Sequence, residues 1–354
     1  MATDLSPWAS RLPSPTEEIW RYSRVNELDL SAFTVAHCDT DGTSEFGTTA
    51  ASTNLDVFAE MNAEHGRVVY IKIAAGKTIS EPIVITHTLT VDGSAAFPRL
   101  VIDAGADSDF TVVERFVSND IAGFIAPVLE LNTGPAARVK YLTINDLGPQ
   151  VWFIGSQVAL AERDSTTLLA NVALGGFYAR MRTDSRLIGK GATADQIAVY
   201  FGDGDQMHDF RTAQEHVAPK TSSNLLFKGA VQGTSRSVYT GNIRIDHDAP
   251  GCRAFQTNRT IKLSDHSWAE SVPNLDILNN DVMCSHASAV SPIDEEQRFY
   301  LASRGVPPHI ADRLIVTGFF DEVFDRLPVP ALVPGLRHAV ANKLQSLSTS
   351  QVAA

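Results

Sequence analysis

The chain has 354 residues, 44% hydrophobic and 20% charged, a balance that suits a packed protein of about two domains and excludes wholesale disorder. Its 29 Lys and Arg against 41 Asp and Glu leave a net charge of −12. That charge excludes the basic footprint of a nucleic-acid binder and any pull toward an anionic membrane surface.

The opening Met1-Ala2-Thr3-Asp4 run has neither the basic start nor the apolar core of a secretory leader. The most apolar stretch, Ile121 to Leu129, contains Pro127 and falls well short of the ~20 residues that cross a bilayer. Three widely spaced cysteines, Cys38, Cys252 and Cys284, make no disulfide framework and suit a reducing compartment. A cytoplasmic protein is the expectation.

Residues 1–65 read as an N-terminal helical segment. Ser14-Pro15-Thr16-Glu17 has the form of a capping box with proline at the first helical position, opening a short helix through Trp20 and Tyr22. A second helix is expected from Asn54 to His65, with Leu55, Phe58, Ala59 and Met61 on one face and Gly66 as its stop.

Residues 66–290 then read as a β core. Val68 to Ile73, Pro82 to Ile85, Leu100 to Ile102, Val139 to Ile144, Leu225 to Phe227, Val238 to Ile245 and Ile261 to Leu263 are short β-rich runs closed by turn residues. Between Gly134 and Gly251 there are 13 glycines in 118 residues, punctuation that fits a parallel β-helix, a sandwich or a barrel. No strict period selects among the three.

Residues 291–354 return to helix. Asp294 caps a helix through Phe299, Tyr300 and Leu301, with Gln297 at the reciprocal position and Gly305 as its end. Pro307-Pro308 open a longer one, Ile310 to Leu327, whose apolar stripe (Ala311, Ile315, Val316, Phe319, Phe320, Val323, Phe324) is wider than one docking face requires. Burial on two sides within the monomer and docking of a partner both explain it. After Pro328, Pro330 and Pro334, residues Leu336, Val340, Leu344 and Leu347 mark a last amphipathic helix, and the final seven residues are expected to fray.

Three motifs carry possible chemistry. Gly76-Lys77-Thr78 ends like a phosphate loop, but Ile71 stands where the motif needs glycine, so a turn between strands is the expectation. Asp203, Asp205 and Asp209, with His208, could serve a hydrolase or a calcium loop; a solvated turn is the plainer reading. In an extended Val282 to His286 run, Cys284 and His286 project from one face about 7 Å apart along the strand. Thiolate and imidazole suit transition-metal chemistry, yet two ligands do not close a site. The plainer reading is a buried cysteine beside a hydrogen-bonded histidine.

The region around that pair resembles a known family. Asn280-Asp281-Val282-Met283-Cys284-Ser285-His286, Ile293-Asp294-Glu295-Glu296, Phe299-Tyr300-Leu301, Ser303-Arg304-Gly305-Val306 and Gly318-Phe319-Phe320-Asp321-Glu322-Val323 are similar to the C-terminal signature of the SufB/SufD family, on its SufD side. Upstream, His216, Thr221 to Asn224, Phe227-Lys228-Gly229, Ser235 to Val238, Gly241 and Gln256 to Arg259 follow the family's core, and Trp20-Arg21-Tyr22 its N-terminal segment. Met283, Ala287 and Ser291 depart from the usual lysine and two glycines.

The resemblance implies a right-handed parallel β-helix with helical segments at both ends. It implies a non-catalytic scaffold of the SUF iron–sulfur cluster assembly system that pairs with SufB and docks the ABC-type ATPase SufC, or forms a homodimer when isolated. Under it, Phe299, Tyr300, Arg304, Phe319, Phe320 and Glu322 are expected to face a partner. His286, with Cys284 as a weaker neighbour, is expected to touch a transient iron–sulfur cluster at the SufB interface, with no cofactor stably bound. The rival reading is a β-helix carbohydrate hydrolase or lyase using Asp203, Asp205 and Asp209.

Overall fold

The structure, a computed structural model, describes residues 4–42, 46–47 and 56–350, the side chains of 46–47 and 345–350 excepted. Sixteen long strands wind into a parallel β-helix. One face stacks β1 (Arg67–Ile73), β3 (Pro98–Ala104), β5 (Val128–Thr133), β7 (Val151–Ala161), β9 (Tyr178–Leu187), β11 (Met207–His216), β13 (Arg236–Ile245) and β15 (Trp268–Ile277). The other stacks β2 (Ile83–Leu89), β4 (Asp109–Ser118), β6 (Arg138–Asp146), β8 (Thr166–Ala173), β10 (Thr193–Gly202), β12 (Ser222–Val231), β14 (Cys252–Lys262) and β16 (Val282–Pro292). Each strand pairs in parallel with the next one on its own face, giving about eight coils. Of the three architectures left open by the β-rich runs, the β-helix is the one formed.

Coil length explains why no period shows in the sequence. Tyr178 pairs with Met207 and Met207 with Arg236, a step of 29, but Trp152 to Tyr178 is 26 and Arg236 to Trp268 is 32. The corners hide the repeat further. At each of the first seven turns from the first face to the second, one residue takes a left-handed backbone with φ between 56° and 76°: Gly76, Asp107, Ala136, Asp164, Gly191, Lys220 and Gly251. Its N–H donates to a carbonyl of the next coil's corner at 2.6–3.2 Å, so the corners stack into a ladder. Four of these seven positions are not glycine. Gly76-Lys77-Thr78 is the first rung of this ladder, as the turn reading expected.

A left-handed L-residue costs about 1–2 kcal/mol, part of which glycine returns through its freer unfolded chain. Ala136→Gly is therefore expected to raise stability by about 0.5–1 kcal/mol in a urea titration. A drop would show that the Ala136 corner is not strained.

The N-terminal segment departs from expectation. The Glu17 carboxylate does accept from the Ser14 N–H, as a capping box should, yet only the single turn Glu18–Trp20 forms. Two carbonyls that a helix would use internally are taken by the core: Arg180 donates to the Ile19 oxygen and Arg211 to the Arg21 oxygen. Tyr22 then turns left-handed at φ 67°, which ends any helix. α1 (Val57–His65) is capped by the Asp56 carboxylate, which accepts from the Phe58 and Ala59 N–H groups; the earlier start expected at Asn54 and Leu55 lies outside the described residues.

α2 (Glu295–Ser303) begins at Asp294 as expected, with the Gln297 amide on the same carboxylate. α3 (Pro308–Phe324) lies across the outer side of β10 and β12. Val316, Phe320, Val323 and Phe324 sink into the core shared with Ile197, Val199 and Phe201, each burial contributing about 1.5–3 kcal/mol. α4 (Val333–Ser350) closes the same layer with Leu336, Val340 and Leu344. The Leu347 side chain and residues 351–354, where fraying was expected, lie outside the described residues; the backbone is helical through Ser350. Thus the wide α3 stripe is covered within the monomer along most of its width.

Candidate functional site: the open terminal coil

The two ends of the β-helix differ. At the first coil, residues 39–41 add an antiparallel strand beside β2 and residues 46–47 add one beside β1, so both starting edges are paired. At the last coil β15 and β16 end their sheets. None of their residues is buried, and Ser285 to Pro292 are exposed throughout. Strand edges of this kind present unpaired backbone donors and acceptors to another chain.

Register fixes which side chains of β16 face the interior. Cys284 stacks on Ala254, His286 on Gln256 and Ser288 on Asn258, and these three β14 residues are all buried. Ser288 Oγ donates to Ser271 Oγ of β15 at 2.6 Å, and Asn258 Nδ2 donates to the same oxygen at 2.9 Å, closing the coil across its inside. Cys284 is half-buried and, with Ile277 and Val282, packs against the cluster of Ile243, Ile245, Ala249, Cys252 and Ala254. His286 is exposed. The strand is extended, so Cys284 and His286 do share one face, the inner one, at the open end. Met283, Ala287 and Ser291 fit a regular ladder with Arg253, Thr257 and Ile261. Among the described residues no three His, Cys, Asp or Glu side chains converge on a common point.

The acidic cluster is dispersed. Asp203 and Asp205 sit at a corner turn, where Asp205 pairs with Arg24 at 2.9 Å. Asp209 has no exposed surface and is gripped by Arg180 (2.7 Å), Arg211 (2.6 Å) and the Tyr178 hydroxyl (2.7 Å). Burial alone raises its carboxyl, but the two guanidinium groups outweigh that and hold it below the usual carboxylate range. An enclosed, permanently paired carboxylate cannot meet a glycosidic bond, so the carbohydrate-hydrolase reading fails at this residue.

The expected partner-facing residues divide. Phe299 and Tyr300 are 76% and 59% exposed on α2, with Arg304 5.5 Å from the Tyr300 ring. Phe319 is half-buried and lines a groove of about 480 Å³ with Arg259, Ser291, Asp294, Leu314 and Gly318. Glu322 pairs with Lys228 at 2.7 Å, and the Lys228 ammonium also donates to the Phe319 carbonyl and lies 4.7 Å from its ring. That hydrogen bond to Lys228 holds the Glu322 carboxyl below its ordinary range. Phe320, placed with this set by its sequence motif, is a correction: it has no exposed surface and packs into the core beneath α3. Neighbours on a helix stand about 100° apart, so Phe319 and Phe320 serve different sides.

Sequence reasoning did not single out Ser271, Ser288 or Gln256 for the open coil. Parallel register alone brings them there.

Residues 87–319 match the family model described as SUF system FeS cluster assembly, SufBD core domain. An iron–sulfur cluster assembly SufBD family protein of Mycobacterium tuberculosis is 30% identical over 303 residues, covering 83% of this chain and 76% of that protein. The iron–sulfur cluster assembly protein SufD of Bacillus subtilis is 26% identical over 293 residues, covering 81% of this chain and 67% of its own. SufD of Escherichia coli is 28% identical over 265 residues, covering 73% and 63%. With two thirds of its length matched to the family model and its β-helix carrying the signature residues at one end, the chain belongs to the SufBD family of SUF-system iron–sulfur cluster assembly proteins.

Proposed function

We propose that this chain is a SufD-type scaffold of the cytoplasm, without catalysis of its own, that pairs with SufB through the open terminal coil and docks the ATPase SufC on the α2–α3 face. The observation that carries the reading is the asymmetry of the ends: one is paired by the chain's own strands, while the other leaves β15 and β16 uncovered. A second β-helix end stacked there would satisfy those backbone edges and enclose Cys284 and His286.

The nascent cluster is cargo at that junction. His286 offers an imidazole nitrogen to iron and Cys284 a neighbouring thiol, with the remaining ligands coming from the partner. The α2–α3 face, with Phe299, Tyr300, Arg304 and the Phe319 groove, receives the ATPase. Lys228 ties α3 to β12 through the Phe319 carbonyl and Glu322, so movement of a docked subunit passes into the β-helix as a unit. Coupling of this kind requires two arrangements whose balance nucleotide shifts.

Co-expression with SufB and SufC tests the assembly: the three chains are expected to copurify, and a chain that joins neither partner rules the reading out. His286→Ala is expected to leave the complex intact while cluster yield, read by absorbance and iron content, falls by about tenfold or more. Unchanged yield would make His286 a structural residue.

A further inference from the structure

A histidine that ligates through one ring nitrogen needs a partner for the other, because that second bond fixes tautomer and ring orientation. The His286 ring makes no hydrogen bond to any described side chain or backbone group. Directly below it on β14, in the same inner column, stands Gln256. This residue is 2% exposed, and neither its amide nitrogen nor its amide oxygen has a hydrogen-bond partner among the described residues. The next residue down the column is the apolar Leu225, which offers none.

The amide occupies a recess made for it. It lies across the coil against Gly241 of β13, where an added Cβ would fall 2.2 Å from the Tyr239 hydroxyl oxygen, 2.5 Å from Gln256 Nε2 and 2.7 Å from Oε1. A side chain at position 241 would collide with the Tyr239 hydroxyl and the amide together. A buried amide left unpaired costs about 1–3 kcal/mol per unmade bond, and the strand stacked on it in register is the last of its sheet, open to solvent. That strand holds His286.

We propose that Gln256 is the positioning residue for His286: its amide oxygen captures one ring N–H when the exposed imidazole lies down into the open coil. Strands in one sheet stand about 4.8 Å apart, so side chains stacked in register on the inner face lie within reach of one another. The captured nitrogen carries the proton and the other presents its lone pair outward, to whatever covers the coil. This rests on the ligand role proposed above for His286. Gln256 acts through the histidine and touches no cargo.

The test uses the full chain with ¹⁵N-labelled histidine, read above the titration range of imidazole so that only the tautomers contribute. Gln256→Met keeps the volume and removes both unpaired polar atoms, so it is expected to fold; Gln256→Asn is the second variant, withdrawing the amide by one methylene. In both, the two His286 ring nitrogens are expected to shift in opposite directions, away from the single tautomer of the parent chain. In the copurified complex, cluster yield is expected to fall about tenfold with subunit stoichiometry unchanged. Ring resonances identical in parent and variants would overturn the proposal. An altered tautomer with unchanged yield in His286→Ala would instead keep Gln256 as its partner and remove the ligand role, so the two failures are distinguishable.

Discussion

Asp209→Ala is expected to lower the unfolding free energy by about 3–5 kcal/mol, because it leaves two enclosed guanidinium groups without their counter-ion. Arg180 is 1% exposed and sits 3.9 Å from the Trp20 ring; Arg211 is 5% exposed and donates to Thr240 as well. Both arginines also hold the N-terminal segment by its Ile19 and Arg21 carbonyls, so the loss spreads beyond the ion triad. Urea unfolding gives the magnitude. Limited proteolysis gives the location: cleavage between residues 12 and 24 should accelerate in the variant more than cleavage within the coils. A change below about 1 kcal/mol, the size of an exposed pair, would mean that water reaches the triad.

Acid has the second large effect. Burial pushes the His208 imidazole down to about 3, with Lys343 adding to the shift, and burial pushes His216 down to about 4. Both are neutral in the folded chain at pH 6, while the unfolded chain begins to protonate below 6.5. The unfolded state therefore binds more protons, and stability falls as pH falls. The window runs from 6.5 down through the folded values. By pH 4 each histidine accounts for about 3 kcal/mol of lost stability at 1.36 kcal/mol per pH unit.

The environments match this. His216 has both ring nitrogens on hydroxyls, Thr221 and Ser223, each at 2.8 Å, and His208 Nε2 bonds the Phe201 carbonyl at 3.2 Å. Measured at pH 7 and pH 4.5, His216→Gln and His208→Leu should each show a flatter loss than the parent. Equal slopes in parent and variants would assign the acid sensitivity to other groups.

What the sequence revealed depended on how local its cause was. The Asp294 cap, the proline start of α3 and its apolar stripe are set by residues within a few positions of one another, and the structure keeps them. The β-rich runs were legible for the same reason. The parallel β-helix was legible through the family resemblance and not through a period, because its repeat lives in backbone conformation: Asp107, Ala136, Asp164 and Lys220 perform at their corners what Gly76, Gly191 and Gly251 perform at theirs. The N-terminal helix failed because Arg180 and Arg211, some 160 to 190 positions away, claim the carbonyls it needed. At the site, the spacing of Cys284 and His286 placed them on one face of a strand. Only the register could show that this face is the inside of the last coil and that Gln256 lies beneath.

The attachment of α3 to β10 and β12 sets a distance as well as a contact. β12, the later of the two strands under α3, lies two strand spacings of roughly 4.8 Å back from β16, about 10 Å along the axis. Because coils stack as near-equivalent modules, gaining or losing a whole one beyond β12 would change that span in steps rather than continuously. In the proposed complex, the number of coils would therefore set, in whole steps, how far a subunit seated on α3 stands from one met at the tip.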